Sequence, residues 1–422
     1  MKITIFTIGT RGDVQPYAVL GQALAERGHD VTVSTARNYA EFIQGYGVKF
    51  HPVDVDYEEI LKSEEGRKIL QVNIMAIQRN LDTHIYPLIK KSLDEFYKLA
   101  KSSDLIIYRP KTMADVFTDH LNVKAISAAV IPAMEETTAF LNPMFSGFNL
   151  PSFLNKLSYK INRLRYKLLY YPIKQFRKQN GLEKTPVNKQ SIPCVYGISP
   201  SFLERPADWS EEQHLTGFWF PKSDPRPDQE LEEFLNQGKT PLVITFGSMP
   251  FKKDISPIIN FAIENLDERF IIVKGWGNWN IDNLNSPRLK IIENANFEWL
   301  FPKVKAVIHH GGIGTIAECL RAGKPMLICP VLYPVGDHTF WADLVFNQGL
   351  GVKPTPLSKM TPKIFVEKIK ILLTDELLYN NAEQMSYKIN AENGVAEAVR
   401  IIEEKYLIDQ GTLDPNALKD IA

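Results

Sequence analysis

The sequence predicts an α/β fold: two doubly wound parallel-sheet units facing one another across a cleft. Three observations carry this. Apolar runs of strand length alternate with helix-period segments in both halves of the chain, the pattern of parallel sheets covered by helices. A Pro-rich charged stretch, Pro221-Lys222-Ser223-Asp224-Pro225-Arg226-Pro227-Asp228, interrupts the alternation, which then restarts. At 422 residues, the chain also exceeds what one hydrophobic core ordinarily supports.

In the first half, Ile3 to Ile8 reads as a strand. Val14 to Arg27 follows as a helix with an apolar stripe of Val19, Leu20, Ala23 and Leu24, closed by Gly28. Asp30 to Ser34 is the second strand, and further strands are predicted at Val48–Val53, Leu105–Tyr108, Lys124–Ile131 and Val195–Ile198. A long helical insertion of mixed aromatic and basic character separates the last two. Beyond the linker, strands are predicted at Pro241–Phe246, Phe270–Val273, Leu289–Ile292, Ala306–His309 and Pro325–Cys329. The organisation is therefore a first unit over 1–220, a linker over 221–235, a second unit over 236–400 and a helical tail over 401–422. The last stretch of that tail, Leu413 to Ala422, is a candidate to cross back to the first unit.

Composition narrows the function. Hydrophobic residues make up 44% and charged residues 23%, ordinary for a soluble globular protein. Basic and acidic residues balance at 49 each, so no global charge points to nucleic acid. Cys194, Cys319 and Cys329 lack metal spacing, and a sparse odd set fits a reducing compartment. No apolar run is long enough for a membrane span, and Arg11 and Asp13 cut the first apolar stretch short of a signal core. The expected location is the cytoplasm.

The most informative segment is His309-His310-Gly311-Gly312-Ile313-Gly314-Thr315, followed by Glu318. It joins a buried strand to a helix start, the geometry that aims free backbone N–H groups and a positive helix end at an anion. Side chains in place of the glycines would hold a phosphate off the backbone. His310 and Thr315 add donors, His309 ends the strand and supports the loop, and Glu318 can accept from ribose hydroxyls one turn in. A capped helix beside a satisfied histidine is the plainer alternative; the whole string favours a diphosphate cradle with a ribose hook.

Four further motifs accompany it: Thr10-Arg11-Gly12-Asp13 with Pro16, Phe246-Gly247-Ser248-Met249, Trp299-Leu300-Phe301-Pro302, and Asp337-His338 with Phe340-Trp341-Ala342. With them the chain resembles the inverting, nucleotide-sugar-dependent glycosyltransferases of family 1, whose two Rossmann-like domains form the GT-B fold. Within that family it is most similar to the sterol glucosyltransferases and bacterial antibiotic glycosyltransferases. The resemblance runs nearly end to end, leaving only the middle of the N-terminal half unmatched.

That resemblance implies transfer of a hexose, by default glucose, from a UDP-sugar to a hydroxyl of a hydrophobic acceptor such as a sterol, flavonoid, polyketide or lipid. It makes Asp13 the general base, its pKa raised toward the working range by partial burial. Asp13 also reads as an N-cap for the helix from Val14. Many members carry a histidine in this loop and this chain has none, which puts the burden on Asp13. Thr10, Arg11 and Ser248 join His310, Gly311, Gly312, Gly314 and Thr315 at the donor diphosphate, while Asp337 and His338 hold the donor sugar. His338 stands where the family usually has glutamine, which leaves the identity of the sugar open; a helix-capping histidine is the plainer reading.

Trp276 and Trp299 are candidate walls for the nucleotide base, or core residues. Ile131, Met134, Phe140, Met144 and Phe145 form a candidate acceptor wall, or again core. No metal and no cofactor beyond the co-substrate are expected. Asp54-Val55-Asp56 imitates a metal-binding pair but reads as a solvated loop. The rivals are an epimerase or hydrolase acting on the nucleotide sugar alone, and a non-catalytic protein that only binds nucleotide.

Lys156 to Lys178 contains no acidic residue, while Leu157, Ile161, Leu164 and Leu168 recur at helical spacing. One reading is contact with an anionic membrane surface. The plainer one, a helix packed on the first unit with a charged outer face, is preferred.

Overall fold

The computed structural model describes all residues except 56–85, 119, 122, 149, 161–169, 183–192, 223–228, 248–250, 252, 276–280, 282–283, 285 and 408–422. Seven parallel strands form the first sheet. They are β1 (Lys2–Phe6), β2 (Asp30–Ala36), β3 (Lys49–Val53), β4 (Leu105–Tyr108), β5 (Lys124–Ala129), β6 (Cys194–Tyr196) and β7 (Gln213–Leu215), in the order β3-β2-β1-β4-β5-β6-β7. Six parallel strands form the second: β8 (Leu242–Thr245), β9 (Phe270–Val273), β10 (Leu289–Ile292), β11 (Val307–His309), β12 (Met326–Ile328) and β13 (Gly351–Val352), in the order β10-β9-β8-β11-β12-β13.

Helices cover both faces, so the central strands carry uninterrupted apolar runs; every residue of β4, β8 and β9 is buried. In each sheet the strand order reverses once, between β1 and β4 and between β8 and β11. Ligands of open parallel sheets bind beyond the strands' carboxyl ends at such reversals. The loops after these four strands contribute to the site, joined by the segment after β12.

The two units share a core. Tyr196, Ile198, Phe202 and Phe218 of the first pack in one cluster with Leu300, Phe340 and Trp341 of the second. Phe202 stacks on Trp341 at 6.1 Å, and Gln348 Nε2 donates to the Phe202 carbonyl at 2.6 Å.

The chain returns to the first unit at Gly394, ahead of the 401–422 tail read from the sequence. Helix Gly394–Ile402 buries Ala398, Val399, Ile401 and Ile402 in the core of the first unit, beside Val14 and Leu20. Gly394 and Gly217 make the crossing possible: a Cβ on Gly394 would lie 2.4 Å from the Gly217 carbonyl carbon, and Gly217 itself has a φ of +105°. Leu413 to Ala422 lie outside the described residues.

Candidate active site

In the first unit, α1 (Arg11–Glu26) begins at Thr10, the N-cap, which places Asp13 in its first turn. Asp13 Oδ2 accepts the Thr10 backbone N–H at 2.9 Å, and Thr7 Oγ1 donates to the Asp13 carbonyl at 2.8 Å. Gly9 (φ +143°) is required by close approach, since a Cβ there would sit 2.1 Å from Asp13 Oδ2. Asp13 Oδ1 is held by Arg109 Nη2, from the loop after β4, and Arg109 Nη1 donates to the Ile8 carbonyl at 2.5 Å. The Arg109 side chain is 4% exposed and that of Asp13 is 23% exposed, so a buried guanidinium fixes a carboxylate that opens to the cleft.

This corrects the expected acidity of Asp13. Burial pushes its pKa up, but the charges of Arg109 and Lys111 and the Thr10 N–H outweigh it, and the net shift is downward. Asp13 is therefore a permanently ionised carboxylate at neutral pH. It is also not the N-cap, because Thr10 takes that position. Arg109 has no motif to announce it and was missed in the sequence. Arg11, expected at the diphosphate, lies over the Phe42 ring, with its guanidinium carbon 5.1 Å from the centroid.

In the second unit, β11 ends at His309, and a second helix, α2 (Ile313–Arg321), starts after Gly312. His309 Nδ1 accepts the Gly311 N–H at 3.2 Å, which places its proton on Nε2. His309 Nε2 and His310 Nδ1 are buried and have no partner. Gly247 and Gly312 pack against the His310 ring; a Cβ on Gly312 would lie 2.4 Å from His310 Nε2. A Cβ on Gly314 would meet nothing within 4 Å. Thr315 is buried in the first turn of α2.

A third imidazole joins the two. His338 opens a third helix, α3 (His338–Asn347), and its ring lies 5.0 Å from that of His310. Its Nδ1 accepts the Leu332 N–H at 3.2 Å. Burial drives the pKa of all three histidines down, that of His338 to about 3, so the cluster is neutral. Asp337, the N-cap of α3, accepts Trp341 Nε1 at 3.0 Å; burial raises its pKa despite the opposing charge of Lys111. Lys111 is exposed and feels both Asp13 of the first unit and Asp337 of the second. The two halves therefore face each other across one cleft.

Glu318 Oε2 accepts from Arg321 Nε at 3.1 Å and Nη2 at 2.6 Å. Its pKa is nonetheless raised by burial. Trp299 is half-buried against the shared core, with Lys303 Nζ 3.8 Å from its ring centroid. Ser248 and Trp276 lie outside the described residues.

Of the candidate acceptor wall, Phe140 is partly buried and packs against the shared core, with its ring 5.1 Å from Phe340 and 6.5 Å from Trp209. Ile131, Met134, Met144 and Phe145 are partly buried. The Met144 carbonyl accepts the Gly336 N–H at 2.9 Å, so this wall abuts the loop leading into Asp337. Asp54 pairs with Arg37 at 2.6 Å and with Lys91, and Asp56 lies outside the described residues. Among the described residues, no group of three or more histidine, cysteine and acidic side chains could hold a metal.

Two facing doubly wound units, with a carboxylate on one side of the cleft and a glycine–histidine helix start on the other, define a glycosyltransferase of GT-B architecture. Residues 3–105 match the glycosyltransferase family 28 N-terminal domain, and residues 272–399 match the family 28 C-terminal domain. The chain belongs to this family of glycosyltransferases. The matching domains carry the number 28, while the relatives are those of the sterol and antibiotic branch.

The chain is 28% identical over 96% of its length to O-mycaminosyltylonolide 6-deoxyallosyltransferase of Streptomyces fradiae, and spans 97% of that enzyme. It is 31% identical over 95% of its length to sterol 3-beta-glucosyltransferase UGT80A2 of Arabidopsis thaliana, and spans 65% of that enzyme. Among solved structures, the glycosyltransferase SsfS6 of Streptomyces sp. SF2575, complexed with thymidine diphosphate, superposes with a TM-score of 0.61 at 18% identity, over 96% of this chain and 99% of the other.

Proposed function

We propose that the chain transfers a hexose, by default glucose, from a UDP-sugar to a hydroxyl of a hydrophobic small molecule, with inversion at the anomeric carbon. The observation that carries this is the pair of buried, unpartnered nitrogens, His309 Nε2 and His310 Nδ1, beside a helix start whose Gly314 faces open space. Buried polar atoms ordinarily find partners, and a diphosphate supplies acceptors at such a place. The thymidine diphosphate complex of SsfS6 supports a nucleoside diphosphate as occupant. The sterol named for one of these relatives supports an apolar acceptor.

On this reading Asp13, held by Arg109 and Thr10 N–H, takes the acceptor's proton as the hydroxyl oxygen attacks the anomeric carbon. The bond to the diphosphate breaks in the same displacement, and the leaving group gains charge. His310, Thr315 and the amides of Gly311 to Thr315 are placed to meet that charge. Neutral imidazoles suit the task, because each can donate one N–H without the desolvation cost of a buried cation. Asp337 and the Nε2–H of His338 are assigned to the sugar hydroxyls, and Glu318 to the ribose.

The test is a nucleotide-release screen crossing UDP- and dTDP-sugars with sterol, flavonoid, polyketide and lipid acceptors. Acceptor-dependent release of UDP with formation of a β-glycoside from an α-donor is the expected result. Release without any acceptor would point to a hydrolase, and UDP binding without turnover to a non-catalytic role.

A further inference from the structure

Eleven large apolar side chains are exposed among the described residues, and six of them fall between 148 and 171: Phe148, Leu150, Phe153, Leu157, Tyr170 and Tyr171. Such crowding in one segment of the first unit is not the scatter expected of an inert surface. Phe153 is the most exposed, at 80%.

The segment is firmly anchored from behind. Over 152–160, Phe153, Lys156, Leu157 and Lys160 stand at i, i+3, i+4 and i+7, one face of a short helical path. On its other side, Tyr159 and Asn155 are buried, and Asn155 Nδ2 donates to the Thr138 carbonyl at 2.9 Å. Ser158 Oγ accepts the Asn142 N–H at 2.9 Å. Helix Tyr170–Gln179 repeats the plan: Pro172, Ile173 and Phe176 face inward, while Tyr170, Tyr171, Lys174 and Lys178 face solvent. Lys174 Nζ lies 5.6 Å from the Tyr170 ring centroid.

The charges are of one sign. Lys156, Lys160, Lys174 and Lys178 are exposed, and the sequence from 156 to 178 holds no acidic residue that could pair with them locally. We propose that the exposed face of the Phe153–Lys160 stretch docks the enzyme on an anionic lipid bilayer. Phe153 and Leu157 enter the interfacial layer, and Lys156 and Lys160 extend to acidic headgroups. A second copy of the chain fits poorly, because a self-complementary contact would set these lysines against one another. The face also adjoins the cleft. Phe148 contacts Phe145 at 6.4 Å, and Gly147 lies so close to Pro334 of the second unit that a Cβ would sit 2.3 Å from the Pro334 carbonyl oxygen.

The test is co-sedimentation of the full chain with phosphatidylcholine vesicles, with and without phosphatidylglycerol. Binding should require the anionic lipid and weaken with salt. Lys156→Glu with Lys160→Glu should lower partitioning by more than about fivefold per lysine, since charge reversal exceeds the loss of one basic group. Phe153→Ser with Leu157→Ser should lower it comparably. Both double variants should retain wild-type transfer to a water-soluble acceptor, which separates this proposal from the catalytic one. No binding to anionic vesicles at low salt, or binding that neither variant weakens, overturns it. So does a concentration-dependent dimer, or capture of an acidic protein, that the same substitutions abolish without any effect on vesicles.

Discussion

The two halves of the active site are built by opposite means. The second unit uses neutral parts: three imidazoles stripped of charge by burial, and glycines that expose main chain. The first unit uses a full ion pair, in which Asp13 stays ionised because Arg109, Lys111 and the Thr10 N–H together outweigh the cost of its burial. The neutral half suits a ligand that brings its own negative charge, and the charged half suits one that must give up a proton. On the proposed reading, one cleft divides anion binding from base chemistry by the way each side handles charge.

The sharpest way to break the comparison is Asp13→Asn. We expect a fall in kcat of about a thousandfold, within the usual range for losing a general base, with donor binding kept. Unimpaired turnover would mean that the ion pair is structural only. On the other side, His310→Ala should cost about 3 kcal/mol of transition-state stabilisation, roughly a hundredfold in rate; a loss confined to the KM of the acceptor would remove it from the diphosphate.

Arg109→Met tests the electrostatic claim itself. Asp13 is active deprotonated, and with Arg109 gone burial dominates, so the acid limb of kcat/KM should climb by roughly 1 to 3 pH units. A limb that stays put would show that Arg109 does not tune the base. Gly314→Ala should leave melting nearly unchanged, since a Cβ there meets nothing within 4 Å. It should nevertheless weaken UDP binding by roughly tenfold, the worth of about one hydrogen bond, in calorimetry.

The histidines give the smallest signal. Because their folded pKa values lie below 6.5, the stability they contribute is complete above that pH and drains away as the unfolded chain protonates below it. Replacing His338 with glutamine should flatten the fall in stability between pH 6.5 and 5 by about 1 kcal/mol per pH unit, measured by urea unfolding. An unchanged slope would mean that His338 is not held neutral.

The same contrast explains what could be read in advance. The His309–Thr315 string is contiguous, so strand, turn and helix start are all written in seven neighbouring residues. Arg109 stands 96 residues from Asp13, and only the adjacency of β1 and β4 brings them together. Eleven of the strands left an apolar run to find. The edge strands β7, with Gln213 and His214, and β13, with two residues, were too short or too polar to do so. The depressed acidity of Asp13 followed from the same hidden arginine. Arg11, nearer in sequence, was drawn to Phe42 instead.

The meeting of Gly217 with Gly394 has a mechanical consequence. The backbone leaving the first unit and the backbone re-entering it touch at one spot, with Glu392 Oε1 tying Ser199 Oγ at 2.7 Å beside them. Two passages pinned together form a natural pivot, and any relative movement of the two units is expected to turn about it.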